Sequence, residues 1–169
     1  MYALVTQNNE ITQVGELQVL FPNEYQPTHL YAIQHGARPI VEGEQKDQRF
    51  YWVTFDKYEV GAESVTRLYV NTAKALEDVT VTPEGQTEPV TTKGLKSVYI
   101  AQFKQTANSL LASTDWMVIR KAERDVAIPT EVADNRAAIL AECDRLIAVV
   151  TAASDMPAFI TAVQSANWS

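Results

Sequence analysis

Residues 49–71 read RFYWVTFDKYEVGAESVTRLYVN, and they decide the first half of the fold. The run 49–55 is almost wholly aromatic and β-branched, the composition of a strand. Gly61, Ala62 and Glu63 supply a turn, and 64–71 returns as a second strand. In that strand Val65, Arg67 and Tyr69 alternate with Thr66, Leu68 and Val70, so neither face is purely apolar and both are expected to be partly covered. Residues 130–153, TEVADNRAAILAECDRLIAVVTAA, decide the second half. Ile139, Leu140, Cys143, Leu146, Ile147 and Val150 recur at steps of three and four, the stripe of an amphipathic helix. Glu131, Asp134, Glu142 and Asp144 occupy the other face, where carboxylates at helical spacing are most simply a solvated surface.

Outward from the aromatic strand the β pattern continues. Residues 2–14 read as a hairpin turning at Gln7-Asn8-Asn9-Glu10, because Asn tolerates positive φ. Leu20-Phe21-Pro22-Asn23 ends in a turn, Pro27 makes the next segment a loop, and 38–41 form a short strand. Residues 79–94, VTVTPEGQTEPVTTKG, read as a linker or small ribbon with an exposed loop at Pro83-Glu84-Gly85. Outward from the long helix, 97–112 carries a second stripe through Tyr99, Ile100, Phe103, Ala107, Leu110 and Leu111. The stretch up to Pro129 is irregular. Ser154 or Asp155 caps a short third helix with Pro157 in its first turn. The expected fold is therefore α+β: a small, mostly antiparallel N-terminal β domain over 1–78, a linker or ribbon over 79–96, and a helical region over 97–169. The first two helices pair as a hairpin and the third folds back.

Composition narrows the function. The 169 residues are 46% hydrophobic, enough for a core, with a formal charge of −7. Residues 1–93 carry 7 basic and 13 acidic side chains, against 7 and 8 in 94–169. An acidic chain is a poor partner for phosphate backbones, so nucleic-acid binding is not expected. Cys143 is the single cysteine, which excludes an internal disulfide and a multi-cysteine metal site; on the helix stripe it reads as a small hydrophobe. His29 and His35, six apart in a Pro/Gly-rich loop, match no zinc spacing. The six glycines form no phosphate-cradling loop. No run approaches the ~18 apolar residues of a membrane span. The opening MYALVTQNNE lacks the basic and apolar regions of a signal peptide, so a cytoplasmic protein is expected. No catalytic triad or carboxylate dyad is evident; neither enzyme activity nor a metal or cofactor is expected.

Two features point instead to contacts. Phe50-Tyr51-Trp52 has Arg49 beside it but no cluster of positive charge of the kind base stacking needs, so core or interface packing is the better reading, with Trp52 a candidate contact. Residues 107–116, ANSLLASTDW, close a helix and place a tryptophan directly after a polar turn. Thr114 and Asp115 have the short side chains that satisfy backbone groups in such a turn. Trp116 is expected to pack as a buried anchor pinning the first helix against the second, near Ile139. Arg136 is expected to cover the indole with its stem and to meet Asp115 with its head.

The string KQTANSLLASTDWMVIRKAERDVAIP, followed by EVADNRAAILAECDRL, resembles the C-terminal segment of many tailed-bacteriophage tail proteins. Those include tail fiber assembly proteins and small proteins encoded beside fibers. The shared motif is approximately N-x-L-L-x-x-T-D-W, then a Pro-started helix bearing an Arg. Asn108, Leu110, Leu111, Thr114, Asp115, Trp116, Pro129 and Arg136 match it. The N-terminal part is also similar, through the MYALV opening, Gly15-Glu16-Leu17, Leu20-Phe21-Pro22 and TRLYVNT at 66–72. The resemblance implies a tail fiber assembly chaperone or fiber-associated tail protein. Its partners would be the tail fiber protein and baseplate proteins, met in the host cytoplasm during assembly, with retention in the virion tail. The alternative is a purely structural virion subunit of the baseplate or fiber network.

Overall fold

The computed structural model describes residues 1–168. It has the α+β fold. Contacts divide the chain into two compact units, Met1–Thr72 and the residues from Ala73 onward, so the segment 79–96 belongs with the helices.

The first unit is built on a five-stranded sheet in the order β2-β1-β3-β5-β4. β1 (Tyr2–Val5) and β2 (Ile11–Gly15) form the expected hairpin, with Tyr2 opposite Gly15 and an irregularity at Leu4/Val5. Asn9 takes the left-handed φ of 61° in its turn. A one-turn helix, α1 (Leu17–Leu20), follows. The loop expected after Pro27 is instead a helix, α2 (His29–Gln34): Thr28 caps it by accepting the Tyr31 N–H at 3.2 Å. β3 (Ala37–Glu42) runs antiparallel to β1 but parallel to β5 (Val65–Ala73), one parallel pair in a mostly antiparallel sheet. β4 (Tyr51–Val60) continues well past the expected end at 55 and forms the sheet edge. Tyr51 and Val53 are half-buried in its first part, and Tyr58 and Val60 in its last, so the inward face changes phase around Phe55 and Asp56. Residues 66–69 of β5 are all half-buried, covered on both faces as their mixed pattern requires. Ala3, Leu20, Ala32, Ala37, Phe50 and Val65 make the core.

The second unit begins with an antiparallel ribbon, β6 (Val79–Val81) and β7 (Val90–Thr92), every residue of which is exposed. The base of the ribbon is clamped. Gly94 donates its N–H to Asp78 at 2.8 Å, a bond that holds the Asp78 carboxyl below the usual range. A Cβ on Gly94 would lie 2.3 Å from the Glu77 carbonyl oxygen, so only glycine fits. Lys96 ties the same place to Glu77 at 2.6 Å and to the Thr151 carbonyl at 3.0 Å.

α3 (Leu95–Ala112) packs against α5 (Thr130–Ala152), and α6 (Met156–Gln164) folds back on α5. Phe103, Ala107 and Leu111 face Ile139, Cys143, Leu146 and Val150, and Phe159 closes the core. Asp155 caps α6 by accepting the Ala158 N–H at 2.8 Å, with Pro157 in the first turn. Leu110 and Leu140 drop out of the expected stripes: each is exposed at the margin of its apolar face. The stretch between the paired helices is also not irregular throughout. It contains α4 (Asp115–Arg124), which ends where Asp125 turns left-handed at φ 55°.

Candidate interaction site

The corner between α3 and α4 is organised by Arg136, reaching across from α5. The last carbonyls of a helix lack intrahelical donors, and cations are favoured there. Arg136 Nη1 donates to the Leu111 carbonyl of α3 at 2.9 Å and to Thr114 Oγ1 at 2.6 Å. Thr114 in turn donates its hydroxyl to the same Leu111 carbonyl at 3.0 Å. Arg136 Nη2 donates to Asp115 Oδ1 at 2.9 Å, and Asp115 is the acidic residue in the first turn of α4. One ion pair therefore puts positive charge at the negative end of α3 and negative charge at the positive end of α4. Arg136 is 17% exposed and Asp115 is 55% exposed, so water screens only one side of the pair.

Asp115 and Arg136 are thus brought together as expected, but Trp116 is not buried between the helices. It is 52% exposed, and Arg120, not Arg136, lies over its ring at 4.8 Å from the centroid. The physical reason is α4 itself. Once Asp115 starts a new helix, Trp116 belongs to the face of that helix and cannot fold over the end of α3. Trp116 and Arg120 are four apart, a spacing that brings side chains together only on a helix. Reading 113–129 as irregular hid that pair.

α4 buries none of its residues. Ile119, one turn on from Trp116, is exposed to 56%, Val118 is exposed on another side of the helix, and Lys121 and Arg124 lie in the last turn. Of the aromatic strand, Phe50 is fully buried, Tyr51 is half-buried and Trp52 is 63% exposed on the edge strand β4. Phe55, also exposed, contacts Tyr58 at 5.0 Å between centroids, with the Arg67 guanidinium 5.3 Å from its ring. Trp52 belongs to the first unit and the Asp115/Trp116/Arg136 corner to the second.

The other reactive residue types are engaged structurally. His29 begins α2, with Nδ1 2.8 Å from the Tyr2 hydroxyl. His35 follows the helix as its C-cap, in the turn before β3, stacked on Tyr31 at 4.0 Å; His29 alone of the two lies in a helix rather than a loop. Cys143 is buried, and burial pushes its thiol pKa up, away from nucleophile chemistry. Among the described residues no group of three His, Cys, Asp or Glu side chains is placed to hold a metal ion. No helix among them is long and apolar enough to cross a membrane. Glu142 is held by Arg145 through two bonds of 2.7 Å and by the Asn167 N–H at 2.8 Å. Arg145 foremost brings its pKa down to about 2, and the pair fastens the C-terminal residues to α5. Comparison with protein-family models, curated proteins and solved structures finds no match to the chain.

Proposed function

We propose that the protein binds the tail fiber protein of a tailed phage and aids its folding, assembly or attachment. The observation that carries this reading is α4. A helix fixed at its first turn by Arg136, burying none of its own residues, leaves Trp116, Val118 and Ile119 on the surface. Apolar residues placed in this way add little to the stability of the fold and much to a contact with another protein. The edge strand β4, with Trp52 and Phe55 exposed, offers a second surface suited to a β-rich partner. Unassembled fibers present open strand edges and apolar faces that aggregate unless covered, which is the task such surfaces fit. The fiber as partner rests on the motif around Asn108–Trp116 and Arg136 described above.

Co-expression with the fiber protein encoded beside it, followed by affinity capture, tests the reading. The parent chain should co-purify with the fiber and raise its soluble fraction. Ile119→Glu, on an exposed position, should fold normally and lose at least about tenfold of the capture, as removal of a contact hot spot does. Absence of co-purification with unchanged fiber solubility would refute the proposal. The copy ratio to fiber in purified particles separates an assembly factor from a permanent virion subunit.

A further inference from the structure

A cleft of about 690 Å³ opens in the first unit between the β1–β2 hairpin, α2 and the turn at 61–64, and its size is that of a small-molecule site. Val5, Ile33 and Pro39 give it an aliphatic wall, and Arg38, Glu63 and His29 bring polar groups to it. Arg38 is the unusual member. Its Nη1 donates to Asn9 Oδ1 at 3.2 Å and to the Gly61 carbonyl at 2.5 Å, two neutral oxygens from different turns that fix the guanidinium in place. Arg49, Arg67, Arg136 and Arg145 are each paired with a carboxylate, whereas among the described residues Arg38, like Arg120 and Arg124, has none within ion-pair distance. Its Nε and Nη2 donors keep their capacity for an anion, and a planar guanidinium suits a carboxylate. Glu63, on the same cleft, likewise makes no ion pair among the described residues.

We infer that this cleft binds a small aliphatic zwitterion of the α-amino acid class, its carboxylate on Arg38, its ammonium on Glu63 and its aliphatic body against Val5, Ile33 and Pro39. The charge balance selects the class. The unit Met1–Thr72 carries 5 Lys+Arg against 9 Asp+Glu, so a multiply charged anion is repelled. A ligand carrying one charge of each sign meets both uncommitted groups without a net electrostatic penalty. The site shares no residue with α4 or with the exposed aromatic side chains of β4, so it stands apart from fiber binding.

Titration calorimetry on the full chain with three probes tests the inference: L-leucine, 4-methylpentanoate, which lacks the ammonium, and 3-methylbutylamine, which lacks the carboxylate. Leucine should bind at least about tenfold more tightly than either, the value of one charge-assisted hydrogen bond. Arg38→Gln should abolish the preference of leucine over the amine, and Glu63→Gln its preference over the acid. The Glu63 side chain holds no other described residue by a hydrogen bond or ion pair, so Glu63→Gln keeps the test decisive even where Arg38→Gln disturbs the two turns. Absence of leucine binding at about 10 mM, the weak end of specific small-ligand affinity, would overturn the inference. So would equal binding of all three probes, or leucine binding unchanged in both variants.

Discussion

Replacing Arg136 by alanine isolates the helix corner. Three donor contacts are lost, to the Leu111 carbonyl, Thr114 Oγ1 and Asp115 Oδ1. They do not sum, because what is left behind differs. The Leu111 carbonyl keeps the Thr114 N–H at 3.0 Å and the Thr114 hydroxyl at 3.0 Å, so no buried acceptor is orphaned. Asp115 is 55% exposed and returns to water, and a pair of that exposure contributes about 0.2–1 kcal/mol. The main loss is the charge-assisted bonding at the sheltered Thr114 and Leu111 oxygens, about 1.5–3 kcal/mol. Arg136→Ala should therefore cost about 2–3 kcal/mol in all, lowering the urea midpoint of the helical circular-dichroism signal by about 1–2 M. Asp115→Ala removes only the screened arm and a favourable charge at the α4 N-terminus, so about 0.5–1.5 kcal/mol. Arg136→Lys should fall between them, since an ammonium cannot address three oxygens with a planar fork. If Arg136→Ala costs no more than Asp115→Ala, the corner is held by something other than this guanidinium and the reasoning fails.

Trp116→Ala should shift the thermal midpoint by less than about 1 kcal/mol equivalent, because half of the indole already faces water, while Phe159→Ala in the core should cost about 3–5 kcal/mol. Equal costs would return Trp116 to the core. Glu142, with its carboxyl held at about 2 in the fold against about 4.3 in an unfolded chain, supplies stability that is complete above about pH 5 and lost as the pH falls toward 2. Acid unfolding of Glu142→Gln should lack that dependence, and an identical pH profile would show that the bond to Arg145 is not kept in solution. Gly94→Ala should strongly destabilise the ribbon base, where the added methyl meets the Glu77 carbonyl oxygen at 2.3 Å. A variant melting like the parent would show that the base can open.

What the sequence disclosed is what local chemistry writes. The hairpin turn at Asn9, the Asp155 cap with Pro157, and the stripe through Ile139, Cys143, Leu146 and Val150 each sit within a few residues of their signal. α2 carried a signal too, Thr28 as cap three residues before Tyr31, but Pro22 and Pro27 nearby favoured a loop. α4 was hidden because its apolar residues face outward, so no buried stripe distinguishes it from an irregular segment. The meeting of Arg136 with Asp115 was legible because Asp115 closely follows the end of α3 and Arg136 lies in the early turns of α5, the helix that pairs with it. The cleft at Arg38 was not, since its walls come from four separate stretches of chain and only the fold assembles them.

The corner also has an order in time. Leu111 and Arg136 are twenty-five residues apart, and α4 lies wholly between them. During synthesis the end of α3 and all of α4 are made before the residue that fastens them exists. Until α5 docks, the segment from Thr114 to Arg124 has no guanidinium to set its direction and no buried face to hold it. The exposed surface of α4 thus acquires a fixed orientation only in a chain whose α3 and α5 have already packed together.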